Sequence, residues 1–209
     1  PEFGQTTGMV YNAITPSGSN NLAGTVSFRL RRKDFSNTPF YFTGTKKPDT
    51  HVNNYNFTLG GPIRQDKTHF YVGYEFVDRD LSADRIIQQS VQDNYSAVGL
   101  TQAQAVGEGV MPALQKVHFA IAKIDHQFNA SHRLSLREFW FKNDSPYNVG
   151  GGANTIQRGT DFNDKMNTAA AQLISQFGGS RLNELRVQYA VRDQSRTASE
   201  AVTGPAINI

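Results

Sequence analysis

Any chemistry in this chain has to come from a small set of titratable side chains. His118, Asp125, His126 and His132 lie close together, and in an extended segment residues an even number apart share a face, so His118 and His126 could begin a metal site. Histidines on polar strand faces and in turns are ordinarily solvated, and no metal ligand set is assigned. Glu75, Glu138 and Glu184 could act as acid and base only in pairs, yet they fall on separate segments with nothing to bring two together. Gly107-Glu-Gly109 and Gly150-Gly-Gly152 lack the preceding strand, the following helix and the Lys-Ser/Thr of a phosphate loop, and no Gly-x-Ser-x-Gly elbow occurs. The chain reads as a non-enzyme, with no catalytic, cofactor-binding or metal residue assigned and no cofactor.

One basic cluster stands out, Arg29-Leu-Arg-Arg-Lys33. Either Arg29 and Arg31 face a hydrated interior beside a solvated rim, or Arg32 and Lys33 meet lipid phosphates. The formal charge of +3 over 209 residues is small and the other basic residues are scattered, so nucleic acid is not an expected partner. Cysteine is absent, which excludes disulfides and thiolate metal sites. No apolar run approaches the roughly 18 residues of a membrane-spanning helix. The mean hydropathy of -0.50 does not exclude a membrane barrel, because barrel strands interleave polar and apolar positions.

The elements that would position these residues follow a period of two. Tyr55, Phe57 and Leu59 alternate with polar or small residues, and Phe70, Val72, Tyr74 and Phe76 do the same after Gly60-Gly-Pro-Ile-Arg-Gln-Asp-Lys67. That pattern predicts a long hairpin whose glycines permit unusual dihedrals and whose reversal is Asp-Lys. Seven strands are expected, at about 24–33, 53–63, 67–79, 116–128, 133–143, 166–177 and 182–193, with a shorter strand-like run from Met9 to Thr15. Further hairpins turn at Asn129–His132 and Gly178–Ser180. In residues 116–128, Phe119 and Ile121 share one face while Ile124 and Phe128 share the other, which predicts a β-bulge between them. Glu138 falls among Leu134, Leu136 and Trp140, implying another register change. The segment TQAQAVGEGVMPALQ could form a short, broken helix, and the pattern is lost from residue 194 onward. Connections of a few residues alternate with long ones at 35–52, 80–115 and 143–165, a rhythm foreign to compact soluble domains and expected of outer-membrane barrels.

Several stretches resemble the Oar-like group of TonB-dependent outer-membrane receptors. Pro1-Glu-Phe-Gly-Gln-Thr-Thr-Gly8, Tyr11-Asn-Ala-Ile-Thr-Pro-Ser-Gly18 and Asn21-Leu-Ala-Gly24 resemble the junction between plug and barrel. Leu59-Gly-Gly-Pro-Ile63 with Asp66-Lys-Thr68 and Phe70 resembles the first periplasmic turn, Ile124-Asp-His-Gln-Phe128 with His132-Arg-Leu134 the second, and Asn183-Glu-Leu-Arg186 the third hairpin. Met9, Tyr11 and Pro16 depart from the group's usual residues. The resemblance implies an all-β fold of antiparallel up-and-down strands in a large outer-membrane barrel, incomplete in this chain. Residues 1–18 would be the end of the plug and its junction, and residues 19–209 the N-terminal part of the barrel with long extracellular loops.

The function so implied is a receptor or transporter moving a large or scarce ligand across the outer membrane. Its partners would be outer-membrane lipid and lipopolysaccharide, the TonB complex through a plug segment absent here, and a ligand these residues do not identify. The competing reading is a soluble all-β binding or adhesion module with recognition loops. A sandwich would bury the face carrying Phe28, Val72, Tyr74, Val187 and Tyr189 against a second sheet, whereas a barrel leaves it to lipid.

Overall fold

The computed structural model describes residues 15–38, 50–81, 83–84, 97, 110–111, 113–148 and 159–199. Its long strands are β1 (Ala23–Arg32), β2 (His51–Arg64), β3 (Thr68–Asp80), β6 (Leu114–Asn129), β7 (His132–Asn148), β8 (Thr160–Phe177) and β9 (Arg181–Ala198). Between β3 and β6 a two-residue ladder pairs β4 (Ala83–Asp84) with β5 (Val110–Met111), and a single 3-10 turn, Lys33–Phe35, follows β1. The seven long strands form one antiparallel sheet in the order β1-β2-β3-β6-β7-β8-β9, each beside its neighbour in sequence. No second large sheet covers it among the described residues.

The turns at one end are tight. Gln65–Lys67 closes the first hairpin, with the Lys67 N–H donating to the Arg64 carbonyl at 3.2 Å and Asp66 at φ 60°. The second is fixed by the Ser131 N–H donating to Asn129 Oδ1 at 2.9 Å. The third uses Gly178 at φ 65°, which glycine adopts without a Cβ clash. Adjacent hairpins are stitched at this end, because the Gln127 N–H donates to the Lys67 carbonyl at 2.7 Å and the Gln176 N–H to the Ser131 carbonyl at 2.8 Å.

Cross-strand partners share a face, so the register sorts the whole sheet. One face carries Val26, Phe28, Tyr55, Phe57, Leu59, Phe70, Val72, Tyr74 and Phe76 on the first three strands. It continues through Ala120, Ala122 and Ile124, then Leu134, Leu136 and Trp140, then Ala169, Ala171 and Leu173, to Leu185, Val187, Tyr189 and Val191. These side chains are not packed away: Phe28 is 64% exposed and Tyr189 69%. A soluble protein would not leave so wide an apolar face bare, whereas a sheet bathed in hydrocarbon requires it. The opposite face carries Thr25, Arg29, Arg31, Asn54, Asn56, Thr58, Glu75, Lys123, Asp125, Arg137, Asp164, Gln172, Glu184, Arg186, Gln188 and Arg192.

Several sequence expectations change here. Gly60, Gly61, Pro62 and Ile63 belong to β2, and the two glycines have no left-handed backbone. A register shift between Pro62 and Arg64 absorbs the proline before the reversal. The bulge expected between Phe119 and Phe128 is displaced, since the register runs unbroken from Lys116 to Gln127 and shifts only at Gln127/Asn129 beside the turn. Large apolar side chains occupy both faces there: Phe119 meets Phe141 and Phe139 at ring-centroid separations of 5.0 and 6.4 Å on the otherwise polar face, and Val77 and Val117 are buried next to them. Glu138 likewise sits in unbroken register, on the apolar face.

The third long connection is shorter than expected, because β7 runs to Asn148, with a register shift between Ser145 and Asn148, and β8 begins at Thr160. β9 extends through residue 194 to Ala198. Neither extension keeps the apolar–polar alternation, so backbone pairing continues after the pattern has ended. Val110–Met111 is extended and Leu114 opens β6, which removes the end of the expected helix; the rest of that segment lies outside the described residues. The Met9–Thr15 strand also lies outside them, except Thr15, which is not in a strand.

Candidate functional site

The densest chemistry is on the polar face near the turns, where residues 15–20 lie against the sheet. Arg137 Nη1 donates to Thr15 Oγ1 at 3.2 Å, and Lys123 Nζ donates to Ser17 Oγ at 2.6 Å. Lys123 is held in turn by the buried carboxylate of Asp125, 3.3 Å away, which also pairs with Arg133 at 3.3 Å and accepts from the Ser135 hydroxyl. These side chains share one face because β6 and β7 pair in a register that sets Lys123 opposite Arg137 and Asp125 opposite Ser135.

Past Ser17 the chain passes backbone to backbone over β2 and β3. A Cβ at Gly18 would collide with the Phe70 carbonyl oxygen and the Gly61 backbone, which is why no side chain fits there. Asn20 then closes the first turn. Its Nδ2 donates to Asp66 Oδ1 at 2.5 Å, and its Oδ1 accepts the Asp66 N–H at 2.8 Å and meets His69 Nε2 at 2.7 Å. Asn20 Oδ1 can only accept, so the His69 hydrogen sits on Nε2. Sequence reading missed Thr15, Ser17 and Asn20 as anchors; the available signal was a run of short polar side chains around Gly18 that suits neither strand nor helix.

The polar face continues upward as a hydrogen-bonded carpet. Asn54 Nδ2 donates to Glu75 Oε1 at 2.6 Å, Arg79 to Gln115 Oε1 at 3.1 Å, and Gln115 Nε2 to Asn143 Oδ1 at 2.9 Å. Arg192 grips Asp164 with two bonds, Nε to Oδ1 at 2.9 Å and Nη2 to Oδ2 at 2.6 Å, and Gln194 adds a third at 3.0 Å. Arg186 pairs with Glu184 at 2.6 Å, and Gln172 donates to the same carboxylate.

The other sequence candidates are dispersed. His118 and His126 do share a face, the apolar one, but each is engaged locally: His118 Nδ1 lies 2.8 Å from the Tyr74 hydroxyl, and His126 Nδ1 lies 2.8 Å from Thr68 Oγ1. Asp125 is on the opposite face and His132 packs against Phe177. Among the described residues no group of three or more His, Asp or Glu gathers as a metal site. Glu75 and Glu184 lie on β3 and β9, separated by three strands, and Glu138 is on the other face, so no two of them are juxtaposed. Arg29 and Arg31 take the polar face and Arg32 the opposite face, across from His51. Gly107–Gly109 and Gly150–Gly152 lie outside the described residues.

Residues 14–104 match the family model for an outer membrane beta barrel domain. Over 81 residues the chain is 37% identical to the TonB-dependent transporter Oar of Myxococcus xanthus, a match covering 35% of this chain and 8% of that protein's length. No solved structure matches. The unclosed antiparallel meander with one apolar and one polar face has the form of an incomplete outer-membrane β-barrel wall, and both matches are to outer-membrane proteins, one of them a TonB-dependent transporter of which this chain spans only a small part.

Proposed function

We propose that this wall belongs to a TonB-dependent transporter that moves a large or scarce ligand across the outer membrane of a Gram-negative bacterium. The observation that carries the reading is the path of residues 15–20 along the polar face, anchored by Thr15–Arg137, Ser17–Lys123 and Asn20–Asp66. A plug entering the lumen from the turn end must cross the wall there, and residues 1–18 are its end and junction. Force from the TonB complex on the upstream plug is resisted at these anchors, which hold the junction while the plug rearranges. The short turns are periplasmic, the connections between β1 and β2, between β3 and β6 and between β7 and β8 face the exterior, and ligand contacts made by this section lie on them. Lys116, Lys142 and Lys165, on the outward face beyond the aromatic side chains, meet phosphates of outer-leaflet lipopolysaccharide.

The test compares solute profiles of medium and periplasm in three strains: wild type, one lacking this gene and one lacking TonB. A solute whose distribution shifts alike in both deletions identifies the cargo and the direction of movement. Absence of any shared shift overturns the transport reading.

A further inference from the structure

Glu138 sits on the apolar face one step short of the aromatic row, between Leu136 and Trp140 on its own strand and opposite Ala122 on β6 and Ala169 on β8. The carboxylates of Glu75, Asp78, Asp125, Asp144, Asp164 and Glu184 each have a donor or cation beside them. Glu138 has no hydrogen bond or ion pair with any described residue. It also borders a recess of ≈ 390 Å³, floored by alanines and walled by Ile124, Leu136, Val187 and Tyr189.

An acyl chain would fill such a recess but offers a carboxylate nothing, and lipid headgroups lie at the interface, beyond Trp140 and the aromatic row. A second copy of this section offers no lysine or arginine between its turn-end phenylalanines and Trp140 on this face. An ionisable side chain in hydrocarbon is costly unless paired, and small residues are where membrane segments approach closely. We propose that the recess around Glu138 docks a membrane-spanning segment of a different polypeptide that places a lysine or arginine in the apolar layer. This rests on the apolar face pointing to lipid.

The test uses the full-length barrel in phosphatidylcholine vesicles, labelled with a fluorophore at Leu134→Cys. Two synthetic Leu/Ala transmembrane helices serve as probes, identical except for Lys or Leu at the centre. The Lys peptide is expected to bind about tenfold more tightly, a preference that Glu138→Gln removes and that Ala169→Leu, which fills the recess, weakens. Equal binding of the two peptides, or a preference that survives Glu138→Gln, overturns docking. In cells, a photocrosslinker at Ala169 that captures only lipid, or only a second copy, does the same. Brominated lipid separates the two failures: a quenched label with no peptide preference sinks docking alone, while an unquenched label sinks the outward assignment itself.

Discussion

Asn20 holds Asp66 at both its carboxylate and its backbone N–H, and Asp66 is a non-glycine residue at φ 60°. The segment at residues 15–20 therefore stabilises the left-handed residue on which the first turn depends. Asn20→Ala should destabilise the folded barrel by about 1 kcal/mol in urea titrations. Asp66→Gly removes the need for that support, so the two substitutions together should cost less than the sum of each alone. Strict additivity would mean that Asn20 and the turn at Asp66 are independent.

Gly18 is predicted to tolerate no side chain. Gly18→Ala forces its Cβ into the Phe70 carbonyl and should reduce assembled barrel more than the same change at Gly179, where a Cβ meets nothing within 4 Å. Heat-modifiable migration of the folded protein on gels measures this, and equal yields for the two variants would count against the close approach.

The register of β9 can be read by labelling, since the chain contains no cysteine of its own. Single cysteines at Glu184, Arg186, Gln188 and Arg192 should react with a water-soluble maleimide, while those at Leu185, Val187 and Tyr189 should not. Val187→Arg should cost about 2 to 4 kcal/mol near the midplane, whereas Arg186→Gln should leave assembly intact and change transport at most. Uniform labelling would contradict the barrel register.

Two aromatic belts should mark the membrane boundaries. Phe70, Phe128 and Phe177 lie beside the short turns. Phe28, Tyr55, Phe76, His118 and Trp140 form a continuous row of ring contacts across five strands, with neighbouring centroids 4.7–6.1 Å apart. Replacing these positions one at a time with tryptophan and quenching with lipids brominated at graded depths should place the two groups at opposite interfaces. A common depth for both would refute the assignment.

Epitope tags in the connections between β1 and β2 and between β3 and β6 should be detected on intact cells. A tag between Asn143 and Asn148 should instead lower assembly, because those residues are paired in β7. Detection only after the outer membrane is broken would invert the topology.

The alternation of Phe70, Val72, Tyr74 and Phe76, or of Leu185, Val187, Tyr189 and Val191, was enough to define strands, faces and hairpin order, because side-chain direction in a strand follows from local geometry alone. The tight turns at Asn129–His132 and Gly178–Ser180 were legible for the same reason, being set by residues adjacent in sequence. What lay beyond the sequence depends on which chain segments meet. Nothing local says that Gly60 and Gly61 run extended beneath Gly18, that Phe119 and Phe141 pack together on the polar face in unbroken register, or that β7 continues to Asn148 by pairing with β8. The anchors Thr15, Ser17 and Asn20 acquire their role only from Arg137, Lys123 and Asp66, whose positions are fixed by backbone pairing across the sheet. Glu138 became a carboxyl with no partner among the described residues in an apolar band, rather than a sign of a slipped register, once the neighbouring ladders fixed its face.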